Sequence, residues 1–189
     1  MKNIILGGVP RSGKSLLAQR LCRDLGLSHL SLDSLVSAFS RVFPGLGVAH
    51  AATSPIEAAR RLSPFVLEWL RHLEFEGMPF LLEGYHLLPE DLRGLDARRY
   101  VVAFVGYPSL KAPEIKLRQV RAFARANDWT RDLSNEELLP IIRRYMSESR
   151  MLADACAAER MLFVDTGEFF DDALEEAFEV LSLRAEDTR

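Results

Sequence analysis

The segment at residues 8–15 constrains the fold of this chain more than any other part of the sequence. It reads GVPRSGKS and matches the pattern G-x-x-x-x-G-K-[ST] at every fixed position. The apolar run at residues 3–6 comes before it and predicts a buried β-strand, whereas a segment with helical spacing of leucines begins at Lys14. A glycine-rich loop between a strand and a helix indicates an α/β fold with a phosphate-binding site.

The chemistry of this loop follows from its spacing. Glycines allow successive backbone N–H groups to surround an anion, and the helix N-terminus adds a partial positive charge. We expect Lys14 to neutralise the β- and γ-phosphates of ATP and Ser15 to offer its hydroxyl to Mg²⁺. Arg11 either contacts a phosphate or points into water. The predicted nucleotide-binding residues of the loop are Gly8, Val9, Pro10, Arg11, Ser12, Gly13, Lys14, Ser15 and Leu16.

The rest of the chain alternates strands with helices. Apolar runs at residues 29–32, 79–83, 99–105 and 161–165 predict four further strands. Continuous apolar runs are expected where a parallel sheet is covered on both faces by helices. The sequence therefore predicts a three-layer α/β/α sandwich around a five-stranded parallel sheet.

Polar residues and prolines mark the expected helix boundaries. Ser54 and Ser134 are each followed three residues later by glutamate, the pattern of a capping box, so a helix is expected to start at each. Pro64 is expected to kink or restart the first of these helices, because an interior proline loses a backbone hydrogen bond. Another helix is predicted over residues 113–127.

Length, charge and cysteine content narrow the class of protein. A chain of 189 residues fits one domain, so residues 1–189 are predicted to form a single unit. A formal net charge of -3 argues against a sequence-independent nucleic-acid binder. No apolar run approaches the ~20 residues of a membrane span. Cys22 and Cys156 are interpreted as thiols in a reducing compartment, so we expect a cytoplasmic protein. From the charge and the short apolar runs, we expect neither nucleic-acid nor membrane partners.

Two carboxylates are predicted at the edge of the sheet where ligands bind in α/β folds. Asp33 follows the second strand and is placed to accept a proton, to hold the acceptor or metal, or simply to cap the helix that opens at Ser34. Glu83 ends the third strand, as expected of a magnesium-site or water-orienting acid, or of an acid leaving the core for solvent. His86 is a candidate substrate contact or an incidental loop histidine.

Three arginines recur at helical spacing in the helix predicted after Pro113. Arg118, Arg121 and Arg125 lie at i, i+3 and i+7, so they share one face of the predicted helix. Arginines on a mobile lid neutralise the charge that develops in phosphoryl transfer, and the lid excludes water. The alternative is a solvated amphipathic face.

The loop GVPRSGKS, the segments DSL and LLEGYH, and the arginine-rich helices before the last strand together resemble the P-loop small-molecule kinases. These include the adenylate, shikimate, gluconate and uridine kinases and phosphoribulokinase. The pattern E-G-x-H at residues 83–86 is similar to the end of the third strand in phosphoribulokinase and to 2-phosphoglycerate kinases. The resemblance covers nearly the whole chain and implies the sheet order 2-3-1-4-5 with a helical, arginine-bearing lid at about residues 107–135.

The resemblance also implies roles for individual residues. The catalytic candidates are Lys14, Asp33 (as the acceptor-side base), Arg118, Arg121 and Arg125. The metal candidates are Ser15 and Glu83, and the acceptor-binding candidates are Asp33, Arg60, Glu83 and His86. Thr166 lies where several of these kinases place the loop beside adenine. Residues 43–77, between the second and third strands, would form most of the acceptor pocket.

Two classes of function fit these observations. The first is an ATP- and Mg²⁺-dependent kinase that transfers the γ-phosphate to a hydroxyl or phosphate of a small metabolite, such as a nucleoside, nucleotide, sugar or organic acid. The second is a P-loop ATPase that acts as a nucleotide-driven switch or regulatory ATP-binding protein. A GTPase switch is disfavoured, because no N-K-x-D segment occurs and the D-T-G at residues 165–167 has the wrong spacing for D-x-x-G.

Overall fold

A computed structural model of the chain describes residues 1–48, 54–124 and 128–187. The described strands are β1 (Asn3–Gly8), β2 (Ser28–Ser31), β3 (Phe80–Gly84), β4 (Tyr100–Gly106) and β5 (Leu162–Asp165). The described α-helices are α1 (Lys14–Leu25), α2 (Leu32–Val42), α3 (Pro55–Glu76), α4 (Pro89–Leu92), α5 (Pro113–Ala122), α6 (Asn135–Ala158) and α7 (Phe170–Glu186). None of these helices is both long and apolar enough to cross a membrane.

The strands form one parallel sheet in the order β2-β3-β1-β4-β5, which confirms the predicted architecture. β1 lies at the centre, where Ile5 is opposite Leu82 of β3 and Val102 of β4. Because all strands are parallel, their carboxyl ends meet at one edge of the sheet. The segments that follow β1, β2 and β3 are therefore neighbours in space although they are far apart in the sequence.

Alternate residues of β1 supply the core on both faces of the sheet. Ile4 and Leu6 pack in one cluster with residues of α1 and α7, whereas Ile5 packs in a second cluster with residues of α2, α3 and α6. All three side chains are fully buried. Each contributes roughly 1.5–3 kcal/mol by leaving water. Burial on both faces is the physical reason for the continuous apolar runs in the sequence.

The second helix begins earlier than the sequence predicts. α2 starts at Leu32, which is fully buried against the sheet, and its N-cap is Ser31, whose Oγ accepts a hydrogen bond from the Ser34 amide at 3.3 Å. The interpretation of Asp33 as the helix cap is therefore wrong. Asp33 lies in the first turn, and its carboxylate accepts a hydrogen bond from the backbone N–H of Tyr85 instead.

Of the kink or restart expected at Pro64, the restart does not occur, because α3 continues through this residue as a single helix of 22 residues. Ala58 and Leu62 before the proline and Val66 and Leu70 after it are all buried. An interior proline costs about 3 kcal/mol, whereas each large apolar side chain contributes roughly 1.5–3 kcal/mol when buried. Packing on both sides of Pro64 therefore outweighs the lost backbone hydrogen bond.

The two predicted capping boxes have different outcomes. At the start of α6, Ser134 Oγ accepts the Glu137 amide at 3.2 Å and the Glu137 carboxylate accepts the Ser134 amide at 2.7 Å. α3 begins at Pro55 as predicted, but Ser54 makes no side-chain capping bond to a described residue. The sequence pattern located both helix starts but decided the cap geometry at only one of them.

The helix that carries the arginines is shorter than predicted. α5 ends at Ala122 instead of near residue 127. Phe123 leaves helical geometry with φ -101 and ψ 6, and its ring stacks on that of Phe170 with centroids 6.3 Å apart. Contact with α7 thus accompanies the end of the helix. Arg125 lies outside the described residues.

Candidate functional site

Steric contacts explain both glycines of the phosphate loop. Gly8 has φ 145, and a Cβ atom at this position would overlap the carbonyl oxygen of Val105 in the adjacent strand. Gly13 has φ 91, and a Cβ atom there would lie 2.9 Å from the ring of Phe170. Glycine adopts such conformations at little cost, and other residues do not. The loop between β1 and α1 can therefore take this shape only with glycine at both positions.

Two side chains outside the loop hold its backbone in place. The Thr166 hydroxyl lies within hydrogen-bond distance of the carbonyl oxygens of Ser12, at 2.9 Å, and Gly106, at 3.0 Å. The Tyr107 hydroxyl donates to the carbonyl oxygen of Pro10 at 3.1 Å. Thr166 is fully buried, so the structure places this predicted nucleotide contact behind the loop, where it supports the loop backbone.

Lys14 and the two predicted carboxylates meet at the carboxyl edge of the sheet. Lys14 Nζ donates to Glu83 Oε2 at 2.7 Å and lies 3.8 Å from Asp33 Oδ2. Ser15 Oγ donates to the same Glu83 oxygen at 3.2 Å. Lys14 is 6% and Glu83 4% exposed, so this ion pair is almost completely removed from water. Charge interactions are strong in such an environment because solvent screens them poorly.

Asp33 is ionised at neutral pH. Its Oδ1 accepts the Tyr85 amide at 2.9 Å and lies 3.8 Å from His86 Nδ1, and its side chain is 34% exposed. Burial raises the pKa of Asp33, but the His86 hydrogen bond, the charge of Lys14 and the Tyr85 amide together lower it to about 2. His86 is 2% exposed, so it lies against this carboxylate in the interior.

The oxygen atoms of Ser15 and Glu83 form a donor set that fits Mg²⁺. This ion prefers hard oxygen ligands, takes one or two from the protein, and keeps water and phosphate oxygens as its other ligands. Because Ser15 donates its proton to Glu83, the lone pairs of its hydroxyl oxygen are available to a cation. The described residues contain no group of three or more His, Cys, Asp or Glu side chains suited to hold a metal. Nucleotide phosphates would therefore have to complete the coordination.

A cavity of about 410 Å³ opens over the phosphate loop. Residues 9–16 and Asp33 line one part of it, and residues of α5 and α7, including Lys116 and Phe170, line another. The volume lies within the ~300–1,000 Å³ of small-molecule sites. The cavity thus has the size of a small-molecule site, with the phosphate loop in its wall.

Comparison with known proteins gives a fold but no close relative. The sequence matches no protein-family model and no curated protein. A shikimate kinase from Bacteroides thetaiotaomicron is similar in structure, with a TM-score of 0.59 and 15% identity over 95% of this chain and 98% of that one. The chain has the fold of the P-loop small-molecule kinases. At this level of identity the similarity concerns the fold alone.

Two further structures share this P-loop kinase fold. A shikimate kinase from Acinetobacter baumannii, in complex with shikimate, has a TM-score of 0.52 and 18% identity, covering 97% of this chain and 92% of that one. A sugar kinase from Janibacter has a TM-score of 0.55 and 15% identity, covering 98% of each chain. These alignments extend over nearly the whole chain, as the resemblance read from the sequence does.

Arg11 contacts the turn before α6. Arg11 has φ 66, and its guanidinium binds both carboxylate oxygens of Asp128, with Nη1 2.7 Å from Oδ2. Asp128 Oδ1 also accepts hydrogen bonds from the amide and hydroxyl of Thr130. The hydrogen bonds with Arg11 and Thr130 keep the pKa of Asp128 well below its usual range. The phosphate loop and the turn before α6 are therefore joined by an ion pair, which sequence reasoning did not find.

Lys116 is the second residue of the cavity that sequence reasoning missed. It lies on α5 with Gln119, and Phe123 follows directly after the helix; all three line the cavity. Their spacing of i, i+3 and i+7 is that of Arg118, Arg121 and Arg125, but each residue lies two positions earlier in the sequence. A search for charged residues on every face of this helix would have included Lys116.

Three arginines predicted to act on phosphate or acceptor, Arg60, Arg118 and Arg121, are not part of the cavity wall. Arg121 donates to the carbonyl oxygens of Thr130 at 2.7 Å and Leu133 at 2.6 Å, so it stabilises the turn before α6. Arg118 on α5 and Arg60 on α3 are exposed. None of these three arginines is among the described residues that line the cavity.

Proposed function

We propose that the protein is an ATP- and Mg²⁺-dependent phosphotransferase that moves the γ-phosphate of ATP to a hydroxyl or phosphate group of a small metabolite. The observation that carries this proposal is the meeting of Lys14, Glu83 and Asp33 beside the phosphate loop. Phosphoryl transfer requires a cation at the phosphates, oxygen ligands for a metal and a polar group toward the acceptor. The fold shared with two shikimate kinases and a sugar kinase supports the same class of reaction.

The phosphate loop binds the nucleotide through its backbone and Lys14. The N–H groups at the N-terminus of α1 attract anions, and Lys14 neutralises the β- and γ-phosphates. Lys14 is already held in the wall of the cavity by Glu83, so it needs little movement to exchange a carboxylate oxygen for a phosphate oxygen. Preorganised charges of this kind stabilise a transition state without the cost of reorganisation.

Ser15 and Glu83 would hold Mg²⁺, which neutralises charge on the β- and γ-phosphate oxygens when it is bound. Ser15 would act through its hydroxyl oxygen, and Glu83 would orient that hydroxyl by accepting its proton. His29 Nε2 lies 3.7 Å from Glu83 Oε1, on the other carboxylate oxygen, and restricts the orientation of this side chain.

Asp33 orients the acceptor. A carboxylate with a pKa near 2 is a weak base, so Asp33 does not remove a hydroxyl proton before the reaction. It accepts a hydrogen bond from the attacking hydroxyl and directs the oxygen at the γ-phosphate. The transition state of phosphoryl transfer is loose, so positioning contributes more than proton removal. His86 and the Tyr85 amide fix the Asp33 carboxylate in this role.

We assign the acceptor pocket to residues 43–77 and the lid to residues 107–135. Arg60, exposed on α3, belongs to the acceptor side. Arg118 is exposed on α5 and is the lid arginine that can approach the phosphates when the lid closes. An arginine that stabilises the charge of the transition state must make this approach. Arg121 acts indirectly, because its guanidinium already binds the turn of the lid.

The test measures ADP formation from ATP and Mg²⁺ against a library of small metabolites, with mass spectrometry of the products. We expect slow ATP hydrolysis alone and a marked increase with one class of acceptor, which gains a phosphate. Lys14→Met should abolish the activity, whereas Lys2→Met, which changes a lysine just before β1 at the opposite edge of the sheet, should not. ATP hydrolysis that no acceptor changes would contradict the kinase and favour the nucleotide-driven switch.

A further inference from the structure

Lys116 is a buried cation without a carboxylate partner in the described part of the chain. Its side chain is 1% exposed, and its ammonium donates to Gln119 Oε1 at 3.1 Å. No described Asp or Glu side chain forms an ion pair with it. Lysine is almost never fully buried unless its charge is compensated. Its surroundings therefore lack the anion that would stabilise the ammonium.

Two aromatic rings hold the Lys116 ammonium beside the phosphate loop. Nζ lies 4.3 Å from the ring centroid of Tyr107 and 5.2 Å from that of Phe170. Tyr107 donates its hydroxyl to the Pro10 carbonyl in the loop, and the Phe170 ring lies against Gly13. Cation–π contacts of this kind orient a charge but do not neutralise it. Both rings that orient Lys116 thus also contact the loop that binds phosphate.

The acids of the cavity are opposed by cations other than Lys116. The remaining charged side chains that line it are Arg11, Lys14, Asp33 and Asp128. Asp128 binds Arg11 through both oxygens, and Asp33 lies 3.8 Å from Lys14 Nζ. Tyr107 is the other titratable group that faces Lys116, and burial raises its pKa far above neutrality, so it stays uncharged. An anion that enters the cavity therefore meets Lys116 as a cation with no competing carboxylate.

We propose that Lys116 binds the phosphate chain of the nucleotide, as a second lysine of the cavity in addition to Lys14. This inference rests on the proposed function, because it takes a nucleoside polyphosphate to be the ligand. Lys116 is already in the cavity wall and is oriented by Tyr107 and Phe170, so it contacts phosphate without closure of the lid. No described carboxylate pairs with the ammonium, and a phosphate oxygen supplies that counter-charge.

The test is isothermal titration calorimetry of the whole chain with ATP, inorganic tripolyphosphate and adenosine. Lys116→Met should weaken the binding of ATP and tripolyphosphate by roughly tenfold or more, the value of a charge-assisted hydrogen bond, and leave adenosine binding unchanged. Lys2→Met changes a lysine just before β1, at the edge of the sheet opposite the phosphate loop; it is the matched control and should change none of the three. Unchanged tripolyphosphate binding, or an equal loss for adenosine, overturns the proposal.

A second measurement needs no substitution. Burial and the positive charge of Arg11 lower the pKa of Lys116 to about 8. A bound phosphate raises this pKa again, so the wild-type protein should take up a fraction of a proton per ADP bound at about pH 8.5, where phosphate itself is fully ionised. Titrations in buffers with different heats of ionisation measure this uptake. Binding without proton uptake at that pH counts against the proposal.

These titrations, together with the assay of acceptor phosphorylation, separate this inference from the proposed function. If wild-type protein binds ATP and tripolyphosphate through Lys116 but phosphorylates no acceptor, the kinase proposal fails and the assignment of Lys116 stands. If the protein phosphorylates an acceptor and Lys116→Met binds ATP as tightly as the wild type, the assignment of Lys116 fails and the kinase stands.

Discussion

Lys14 Nζ donates a 2.7 Å hydrogen bond to Glu83 Oε2, although 69 positions separate the two residues in the sequence. Both side chains are almost fully buried. The lysine that is proposed to bind phosphate and the acid that is proposed to hold the metal are therefore direct partners in the fold. Removing one partner of a buried ion pair leaves the other without compensation, so this contact couples the stability of the fold to the chemistry of the site.

Lys14→Met is expected to abolish nucleotide turnover and to lower the free energy of unfolding by about 3 kcal/mol, because Glu83 loses its cation. Adding Glu83→Gln should recover most of that stability but none of the activity. Urea unfolding of the wild type, both single variants and the double variant measures the coupling. Strictly additive losses in the double variant would show that the two residues do not interact as described.

Asp33→Asn should lower kcat by roughly 10²-fold, the cost of a misplaced reactant, while leaving the affinity for ATP nearly unchanged. Asparagine can still accept the Tyr85 amide, so the fold should be retained, although the interaction of the carboxylate charge with Lys14 is lost. Ser31→Ala is the matched control, because it removes the true N-cap of α2 and should cost about 1 kcal/mol without a comparable loss of turnover. Steady-state kinetics and denaturant unfolding separate a role in acceptor positioning from a role in helix stability. A wild-type kcat in the asparagine variant would exclude Asp33 from acceptor positioning.

The contribution of Asp33 to stability should depend on pH only in acid. Its pKa is lowered to about 2 in the fold, compared with ~3.9 in an unfolded chain. A carboxyl group with a lowered pKa stabilises the fold above about pH 4, and this stabilisation is lost as the pH falls toward 2. The difference in unfolding free energy between wild type and Asp33→Asn should be constant from about pH 5 to 8 and shrink below about pH 4. Denaturant unfolding of both proteins across this pH range measures the difference. A difference in unfolding free energy that varies near neutral pH would contradict the prediction.

Thr166→Val should loosen the phosphate loop. It replaces a buried hydroxyl that lies within hydrogen-bond distance of the Ser12 and Gly106 carbonyl oxygens; the Gly106 oxygen keeps the Thr166 amide as a donor, so the Ser12 carbonyl in the loop is the group that loses its partner. We expect a loss of about 1–3 kcal/mol in unfolding free energy and weaker ATP binding. Thr166→Ser keeps the hydroxyl and should restore most of both. Thermal unfolding and calorimetry measure the two effects, and equal behaviour of the valine and serine variants would contradict a role for the hydroxyl.

The fold was predicted correctly because its signals are local in the sequence. The strands follow from short apolar runs, and the glycine pattern at residues 8–15 marks the turn between β1 and α1. The capping box at Ser134 is also formed as its sequence pattern predicts. These signals act over a few residues, so they can be read without knowledge of the tertiary structure.

The boundaries that were predicted wrongly depend on distant contacts. Burial of Leu32 against the sheet accompanies the earlier start of α2 and leaves the capping role to Ser31. Packing on both sides of Pro64 keeps α3 continuous. In each case the local preference of a residue was outweighed by apolar area that only the assembled sheet and helices could bury.

The sequence by itself therefore determined the sheet, the glycine loop and which residue types lie at the edge where ligands bind. Only the tertiary structure decided what those residues contact. Arg11 and Asp128 pair across 117 positions, and the ring of Phe170 reaches Lys116 from another helix. The charge state and the orientation of a side chain depend on its neighbours in space, and parallel strands bring together neighbours that the sequence keeps far apart.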